Sequence, residues 1–164
     1  MTIIAVLRES EQSFLIGADS QVTDLHKCYK RYITKLNEIA SIPLVWGCSG
    51  AEDVAEIFSN DLQKYNWNIQ DADSCVQEAA EKLLEYNEKA YEGYRRIGKV
   101  DDYCPTECLM IGCIGNDKTL MCYHIHPNGI LQQKLFNKEA FCSIGTGART
   151  LDIILRTLEC FGIK

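Results

Sequence analysis

The sequence predicts an α+β fold in which two stacked antiparallel sheets are faced by helices. Short bursts of β-branched and aromatic residues open the chain and return after its middle, and two long segments with helical spacing lie between them. Runs of strands separated by runs of helices favour antiparallel sheets over the alternating units of a parallel sheet. With 164 residues, 46% of them apolar, residues 1–164 are expected to form a single domain around one sizeable core.

The first part of the chain predicts four strands, because each apolar burst is short and contains the residue types that favour strands. These strands are Thr2–Leu7, Ser13–Ala18, Tyr32–Ile39 and Pro43–Cys48. Glu11 and Gln12 have the position of a hairpin turn between the first two strands. The period then changes, since Ser49 and Glu52 have the spacing of a capping box and predict a helix that begins near Gly50.

A second helix and a second set of strands follow. Ser74 and Gln77 repeat the capping-box pattern at the start of a narrow apolar seam over 76–97 that has a seven-residue spacing. The loop Gly98–Thr106 ends this helix. Four strands are then predicted at Glu107–Ile114, Thr119–His126, Ile130–Phe136 and Phe141–Ile144, with turns at 115–117 and 127–129.

A last helix is predicted by apolar residues at helical spacing between Leu151 and Phe161. It follows Gly145-Thr146-Gly147 and ends near Gly162. The glycine pair is too short to indicate a dinucleotide-binding fingerprint, because the second half of that motif is missing.

Composition and charge exclude several classes of function. The net charge of −6 and the pI near 5.1 provide no basic surface for a phosphate backbone, so nucleic acid is not an expected partner. No apolar run approaches the roughly 20 residues that span a bilayer, and the N-terminus lacks a secretory signal. We therefore expect a cytoplasmic protein without a membrane partner. Nine cysteines are present, and those inside apolar segments are expected to be reduced core thiols: Cys108, Cys113, Cys122 and Cys142.

Two weak patterns leave metal binding as an alternative. Cys104 and Cys108 have no second Cys or His pair at the intervals of a structural zinc site. His124 and His126 share one face of a predicted strand, but no carboxylate lies near them in the sequence. We expect neither a metal nor another cofactor.

Thr2 offers a nucleophile and a base within one residue. A threonine hydroxyl is a weak nucleophile, but a chain-terminal threonine carries an α-amine whose reference pKa of about 7.7–8.0 suits a general base. This chemistry requires removal of Met1, and threonine is small enough to permit that removal. Read from position alone, Thr2 is simply a residue of an edge strand.

Four sequence blocks resemble the proteasome β-subunit and HslV family of N-terminal-nucleophile threonine peptidases, in order and in spacing. They are Phe14–Ser20, Ile33–Ile39, Gly47–Asp53 and Ser143–Gly147. The resemblance implies the four-layer αββα sandwich of that family, shortened at its C-terminus because the chain ends just after the third main helix.

The resemblance also implies site roles. Thr2 would be the nucleophile, Lys35 the cation that keeps its amine neutral, and Asp19 the partner of Lys35. Ser49 stands where the family has a glycine whose N–H binds the oxyanion, and Thr146 replaces a site serine. Without the resemblance, Lys35 is a solvated lysine and Asp19 a turn former, and Ser49 and Thr146 are helix caps.

The implied function is a threonine-type peptide or amide hydrolase without a cofactor. The family implies a peptide or unfolded protein as substrate, a homo-oligomer such as a ring built through the first two helices, and an ATPase unfoldase as a partner. Two alternatives stay open: a non-catalytic scaffold or assembly subunit that kept the fold, and a small-molecule amidase.

Overall fold

The computed structural model describes residues 2–10, 13–19, 21–24, 29–32, 34–39, 42–67, 72–113, 120–134 and 141–160. In these ranges the strands before the first helix are β1 (Ile4–Ser10), β2 (Ser13–Ala18), β3 (Gln21–Asp24), β4 (Tyr29–Tyr32), β5 (Leu36–Ile39) and β6 (Leu44–Ser49). The elements that follow are α1 (Glu52–Lys64), α2 (Ala72–Arg96), β7 (Glu107–Cys113), β8 (Leu120–Ile125), β9 (Leu131–Lys134), β10 (Phe141–Ile144) and α3 (Ala148–Cys160).

The described strands form three antiparallel units. Strands β5 to β9 make a five-stranded sheet in chain order, β3 and β4 pair with each other, and the order β10-β1-β2 makes a three-stranded sheet. Strand β1 is central in the smaller sheet, because Ile4 is paired with both Ile144 of β10 and Ala18 of β2. Residues just before β1 therefore lie beside the residues that follow β2 and β10.

Two apolar clusters cover both faces of the five-stranded sheet. The cluster between this sheet and helices α1 and α2 includes Trp46, Phe58, Val76, Leu83 and Met110. The cluster between the two larger sheets includes Ile4, Val6, Leu109, Ile111 and Ile144. Burial of each such side chain contributes about 1.5–3 kcal/mol, so these two interfaces hold the layers together.

The expected four-layer αββα sandwich is wrong, although the fold is α+β. The described chain has a five-stranded and a three-stranded main sheet with three helices, and α1 and α2 cover only the larger sheet. On the smaller sheet's side the described helix is α3, whose Ile153, Ile154 and Leu158 stay exposed. One helix with exposed apolar residues does not make a closed outer layer.

The strand predictions hold where the residues are apolar and fail where they are polar. Ser13–Ala18 and Phe141–Ile144 have the predicted bounds. The predicted strand Tyr32–Ile39 is instead split between β4 and β5, and the pairing of β3 with β4 was not predicted. Strand β4 contains Lys30 and Arg31, so its sequence lacks the alternation on which the prediction depends.

The turns that were predicted between strands have different outcomes. The turn at 127–129 is confirmed: the Gly129 N–H donates to the His126 carbonyl at 3.0 Å, and Gly129 has a φ of +74°. Residues 11–12 and 115–117, the other two predicted turns, lie outside the described residues.

Helix α2 confirms the predicted apolar seam over most of its length. Val76, Ala80, Leu83 and Asn87 are buried on one face, and the opposite face is charged. The seam ends before Ile97, which lies beyond the helix and is 66% exposed. Of the helices in the described residues, none combines the length and the apolar character needed to cross a membrane.

Neither predicted capping box forms. The residue before α1 is Ala51, which makes no side-chain cap, and Ser49 is still paired in β6. The loop before β7 holds the backbone of Ala51 through two hydrogen bonds. The Ala51 N–H donates to the Cys104 carbonyl, and the Ala51 carbonyl accepts from Thr106 Oγ1. Helix α2 begins at Ala72, so Ser74 lies inside it.

Candidate active site

Thr2, Asp19 and Lys35 meet because three strands bring their ends to one place. Thr2 precedes β1, Asp19 follows β2, and Lys35 precedes β5. The contact between β1 and β2 extends beyond their pairing: the Asp19 N–H donates to the Ile3 carbonyl at 3.0 Å, and Asp19 Oδ1 accepts from the Ile3 N–H at 2.6 Å. The backbone therefore fixes the Asp19 carboxylate next to Thr2.

Lys35 joins this carboxylate to the Thr2 hydroxyl. Its Nζ lies 3.1 Å from each Asp19 carboxylate oxygen and 3.3 Å from Thr2 Oγ1. The Lys35 side chain is 6% exposed and the Asp19 side chain 30%. A buried ammonium of this kind needs a paired carboxylate. The burial does not fit the alternative of a solvated lysine, and the arrangement holds a cation beside the Thr2 hydroxyl.

The turn Gly145–Gly147, between β10 and α3, contacts the Thr2 backbone on both sides. The Thr2 nitrogen donates to Thr146 Oγ1 at 3.0 Å, and the Gly147 N–H donates to the Thr2 carbonyl at 3.2 Å. Met1 precedes Thr2 in this chain, so this nitrogen is a peptide N–H. Removal of Met1 would convert the same atom into an amine with a hydroxyl already beside it.

Gly145 is required at its position for two physical reasons. Its φ is +98°, a conformation that side-chain-bearing residues rarely adopt. A Cβ there would also lie 2.2 Å from the Thr2 carbonyl oxygen and 2.8 Å from Ser49 Oγ. The turn can approach Thr2 this closely only because residue 145 has no side chain.

Ser49 belongs to the same site, but as the last residue of β6. It is 6% exposed, and its hydroxyl points toward Gly145. Gly50, which follows it, has a φ of +132° and lies against the backbone of Pro105 and Thr106. Thus all five residues expected from the sequence, Thr2, Asp19, Lys35, Ser49 and Thr146, lie around the start of β1.

Glu107 also belongs to this region, although no motif in the sequence indicates it. Its Oε1 accepts from the Gly145 N–H at 3.0 Å, and its Oε2 accepts from His124 Nε2 at 2.9 Å. Burial alone would raise the pKa of Glu107, but the hydrogen bonds from His124 and Gly145 outweigh it and hold the pKa below its ordinary value. A charged residue at the start of an otherwise apolar strand is the signal that could have identified it.

The metal alternatives have no support in the described part of the chain. There, no group of three or more His, Cys, Asp or Glu side chains is placed to hold a metal ion. Cys104 is exposed whereas Cys108 is fully buried. The His124 and His126 rings stack on each other with centroids 3.8 Å apart.

The buried thiols are core residues. Cys108, Cys122 and Cys142 are buried, as expected of core residues, and the side chain of Cys113 lies outside the described residues. Burial, together with the neighbouring Cys48 thiol, raises the pKa of Cys108 well above its ordinary value. This thiol therefore stays protonated and is not a nucleophile.

Comparisons with known proteins give a likeness in structure only. No protein-family model matches the chain, and no curated protein matches it. Anbu (ancestral beta-subunit) from Yersinia bercovieri superposes with a TM-score of 0.72 and 17% identity, over 95% of this chain and 65% of that one. The Anbu (Gly-1) mutant from Hyphomicrobium sp. strain MC1 gives a TM-score of 0.68 and 14% identity, over 95% and 66%.

These comparisons correct the expected family. The resemblance to proteasome β-subunits and HslV predicted membership of that threonine peptidase family, but no family model matches, and the similar structures named above are Anbu proteins. The chain spans just under two thirds of the length of these two structures. At identities of 17% and 14%, the likeness shows that the folds are similar and does not show that the proteins share an activity. The chain has the fold seen in the Anbu (ancestral beta-subunit) structures.

Proposed function

We propose that this protein hydrolyses amide bonds, with Thr2 as its N-terminal nucleophile once Met1 has been removed. The observation that supports this most directly is the buried Lys35 ammonium, 3.3 Å from Thr2 Oγ1 and paired with both oxygens of Asp19. Burying a charge costs free energy. A buried ion pair in contact with a hydroxyl next to the chain terminus is therefore a candidate for a catalytic role. The likeness in fold to the Anbu structures is a second, coarser support.

The proposed reaction has two steps. The Thr2 α-amine takes the proton of the Thr2 hydroxyl, and the oxygen attacks the amide carbonyl carbon. The carbon–nitrogen bond then breaks, and the proton passes from the ammonium to the leaving nitrogen. In the second step the amine takes a proton from a water molecule, whose oxygen attacks the ester carbon. The bond between this carbon and Thr2 Oγ1 then breaks, the proton passes from the ammonium to Oγ1, and the acid leaves a free Thr2.

Each neighbouring group has a role in this proposal. The Lys35 charge favours the neutral, basic form of the Thr2 amine, and Asp19 holds Lys35 in place. The Thr146 hydroxyl, which accepts the Thr2 N–H, would orient the amine. The backbone N–H of Ser49 is the proposed donor to the oxyanion that forms during attack.

The proposed substrate is a peptide or another amide, and the proposed assembly is a homo-oligomer. A peptide substrate is the simplest match to a nucleophile and base that act on the amide group alone. Neither step needs a cofactor.

The intact mass of the purified protein, measured before and after treatment with a peptide epoxyketone, tests the proposal. This warhead needs both a free threonine amine and its hydroxyl. We expect a mass without Met1 and a gain of one inhibitor. Thr2→Ala should give no adduct, whereas Thr150→Ala, which truncates an exposed threonine in α3, should react like the wild type.

Other outcomes separate the alternatives. Loss of Met1 without an adduct, across inhibitors with different side chains, would favour the scaffold subunit. Hydrolysis that survives unchanged in Thr2→Ala would show that another group is the nucleophile. A protein that keeps Met1 in the cell would contradict the maturation step.

A further inference from the structure

Glu107 connects the five-stranded sheet to the turn that holds Thr2. It is the first residue of β7, and its two carboxylate oxygens have different partners. Oε1 accepts the Gly145 N–H at 3.0 Å, and Oε2 accepts from His124 Nε2, in the next strand, at 2.9 Å. One side chain therefore links β7, β8 and the turn Gly145–Gly147.

That turn sets the position of the Thr2 backbone. Thr146 Oγ1 accepts the Thr2 N–H, and the Gly147 N–H donates to the Thr2 carbonyl. Gly145 approaches so closely that a Cβ would overlap the same carbonyl. A displacement of the turn would therefore move the nitrogen and the carbonyl of Thr2 together.

The Glu107 carboxylate is partly buried among groups from neighbouring elements. The His124 side chain is 10% exposed and the Glu107 side chain 24%. Ser49 is the register partner of Glu107 in β6, and the carboxylate lies near His124 of β8 and His126, which directly follows that strand. On the other side Asn87 fixes the preceding residue, because its amide bonds both the N–H and the carbonyl of Thr106. The start of β7 is thus anchored to α2.

We propose that Glu107, oriented by His124, is a positioning residue for Thr2 and acts through the Gly145 N–H. The proposal rests on the proposed function for its effect on catalysis. Its structural part, that the carboxylate holds the turn, can be tested without catalysis. Glu107→Ala removes the acceptor, whereas Glu107→Gln keeps an oxygen that can accept the Gly145 N–H and removes the charge.

The kinetic experiment uses the full chain after loss of Met1 and measures the rate of epoxyketone adduct formation together with kcat and KM on a peptide amide. We expect Glu107→Ala to lower the adduct rate and kcat by about 100-fold, since misplacement by about 1 Å has that effect, and to leave KM nearly unchanged. Glu107→Gln should recover most of this loss. Glu88→Gln, exposed on α2, is the matched control and should behave like the wild type.

The second readout is the chemical shift of the Gly145 amide proton as a function of pH. In the wild type this shift should follow the titration of Glu107, and in Glu107→Gln that step should disappear. If the step disappears but no chain hydrolyses a peptide or forms an adduct, the proposed function fails and the positioning role of Glu107 stands. If the wild type reacts and folded Glu107→Ala reacts equally fast, or if the amide step persists in Glu107→Gln, the inference is wrong.

Discussion

The ion pair between Lys35 and Asp19 is the chemical centre of the proposed site, and the charge on Lys35 can be removed with little change in shape. In Lys35→Met an apolar side chain of similar length replaces the lysine and its charge. We expect adduct formation at Thr2 to slow by at least about 100-fold, because the general-base step loses the cation that keeps the amine neutral. The rate of mass gain with the epoxyketone measures this effect.

The same variant should remain folded. The Asp19 carboxylate keeps its hydrogen bond from the Ile3 N–H and is 30% exposed, so water can replace Lys35. We therefore expect a loss of only about 1–2 kcal/mol in the free energy of unfolding. Lys89→Met is the control, since Lys89 is a surface lysine paired with Glu85. Equal adduct rates for Lys35→Met and the wild type would contradict the proposed role.

A comparison of Gly145→Ala with Gly98→Ala separates the effect of a steric overlap from the effect of backbone strain. Both have positive φ, +98° and +69°, but a Cβ on Gly98 would meet nothing within 4 Å. Gly98→Ala should therefore destabilise the protein by about 1–2 kcal/mol, from backbone strain alone. Gly145→Ala adds the overlap with the Thr2 carbonyl.

For Gly145→Ala we expect a loss of at least about 3 kcal/mol and no adduct at Thr2, because the turn must move away from the nucleophile. Urea unfolding and the intact mass after inhibitor treatment measure the two effects. A Gly145→Ala protein that is as stable as Gly98→Ala and still forms the adduct would show that the turn does not approach Thr2 this closely in solution.

At the scale of the elements, Asn87 joins helix α2 to the start of β7 and to the turn after β8. Its Nδ2 donates to the carbonyls of Thr106 and Pro127 at 2.8 and 3.0 Å, and its Oδ1 accepts from the Thr106 N–H and the Tyr103 hydroxyl at 2.8 and 2.9 Å. Asn87 is 4% exposed. Burial, with smaller contributions from Cys104 and Asp53, raises the pKa of Tyr103 to about 12, so its hydroxyl stays a donor.

Asn87→Ala should therefore lower the free energy of unfolding by about 3 kcal/mol, because the buried backbone groups of Thr106 and the part-buried carbonyl of Pro127 lose their partner. Urea unfolding measures this change. Glu88→Ala, at the exposed neighbouring position, should stay within about 0.5 kcal/mol of the wild type. A similar loss in both variants would mean that the effect is one of helix stability and not of the contact with β7.

At the scale of the whole molecule, the sequence predicts helices and strands better than it predicts the contacts between them. Apolar runs such as Ser13–Ala18 predict strands correctly, because apolar character and alternation are properties of residues that are adjacent in the sequence. The polar strand β4 and the missing helical layer have no such local signal. Lys35 and Asp19 were expected near Thr2 only through a resemblance, since nothing local links residues 17 and 33 positions away from it.

Glu107 shows why the rest of the site could not be predicted. Its partners are separated from it by 17 and 38 positions, and each bond depends on a register or on the path of a turn. The sequence shows a glutamate at the start of an apolar strand and two histidines without a nearby carboxylate. Only the pairing of β7 with β8 brings them together.

The dependence of stability on pH tests this long-range pair in the intact fold. Burial would raise the pKa of Glu107, but the His124 and Gly145 hydrogen bonds lower it below the ordinary value of 4.5. A carboxyl whose pKa is lower in the folded state stabilises the fold above its unfolded-state pKa, and this stability is lost as the pH falls through the folded-state value. The difference in free energy of unfolding between the wild type and Glu107→Gln, from urea unfolding, should therefore be constant at neutral pH and shrink below 4.5. A flat curve for Glu107→Gln would mean that the carboxylate is not held by His124 and Gly145 in solution.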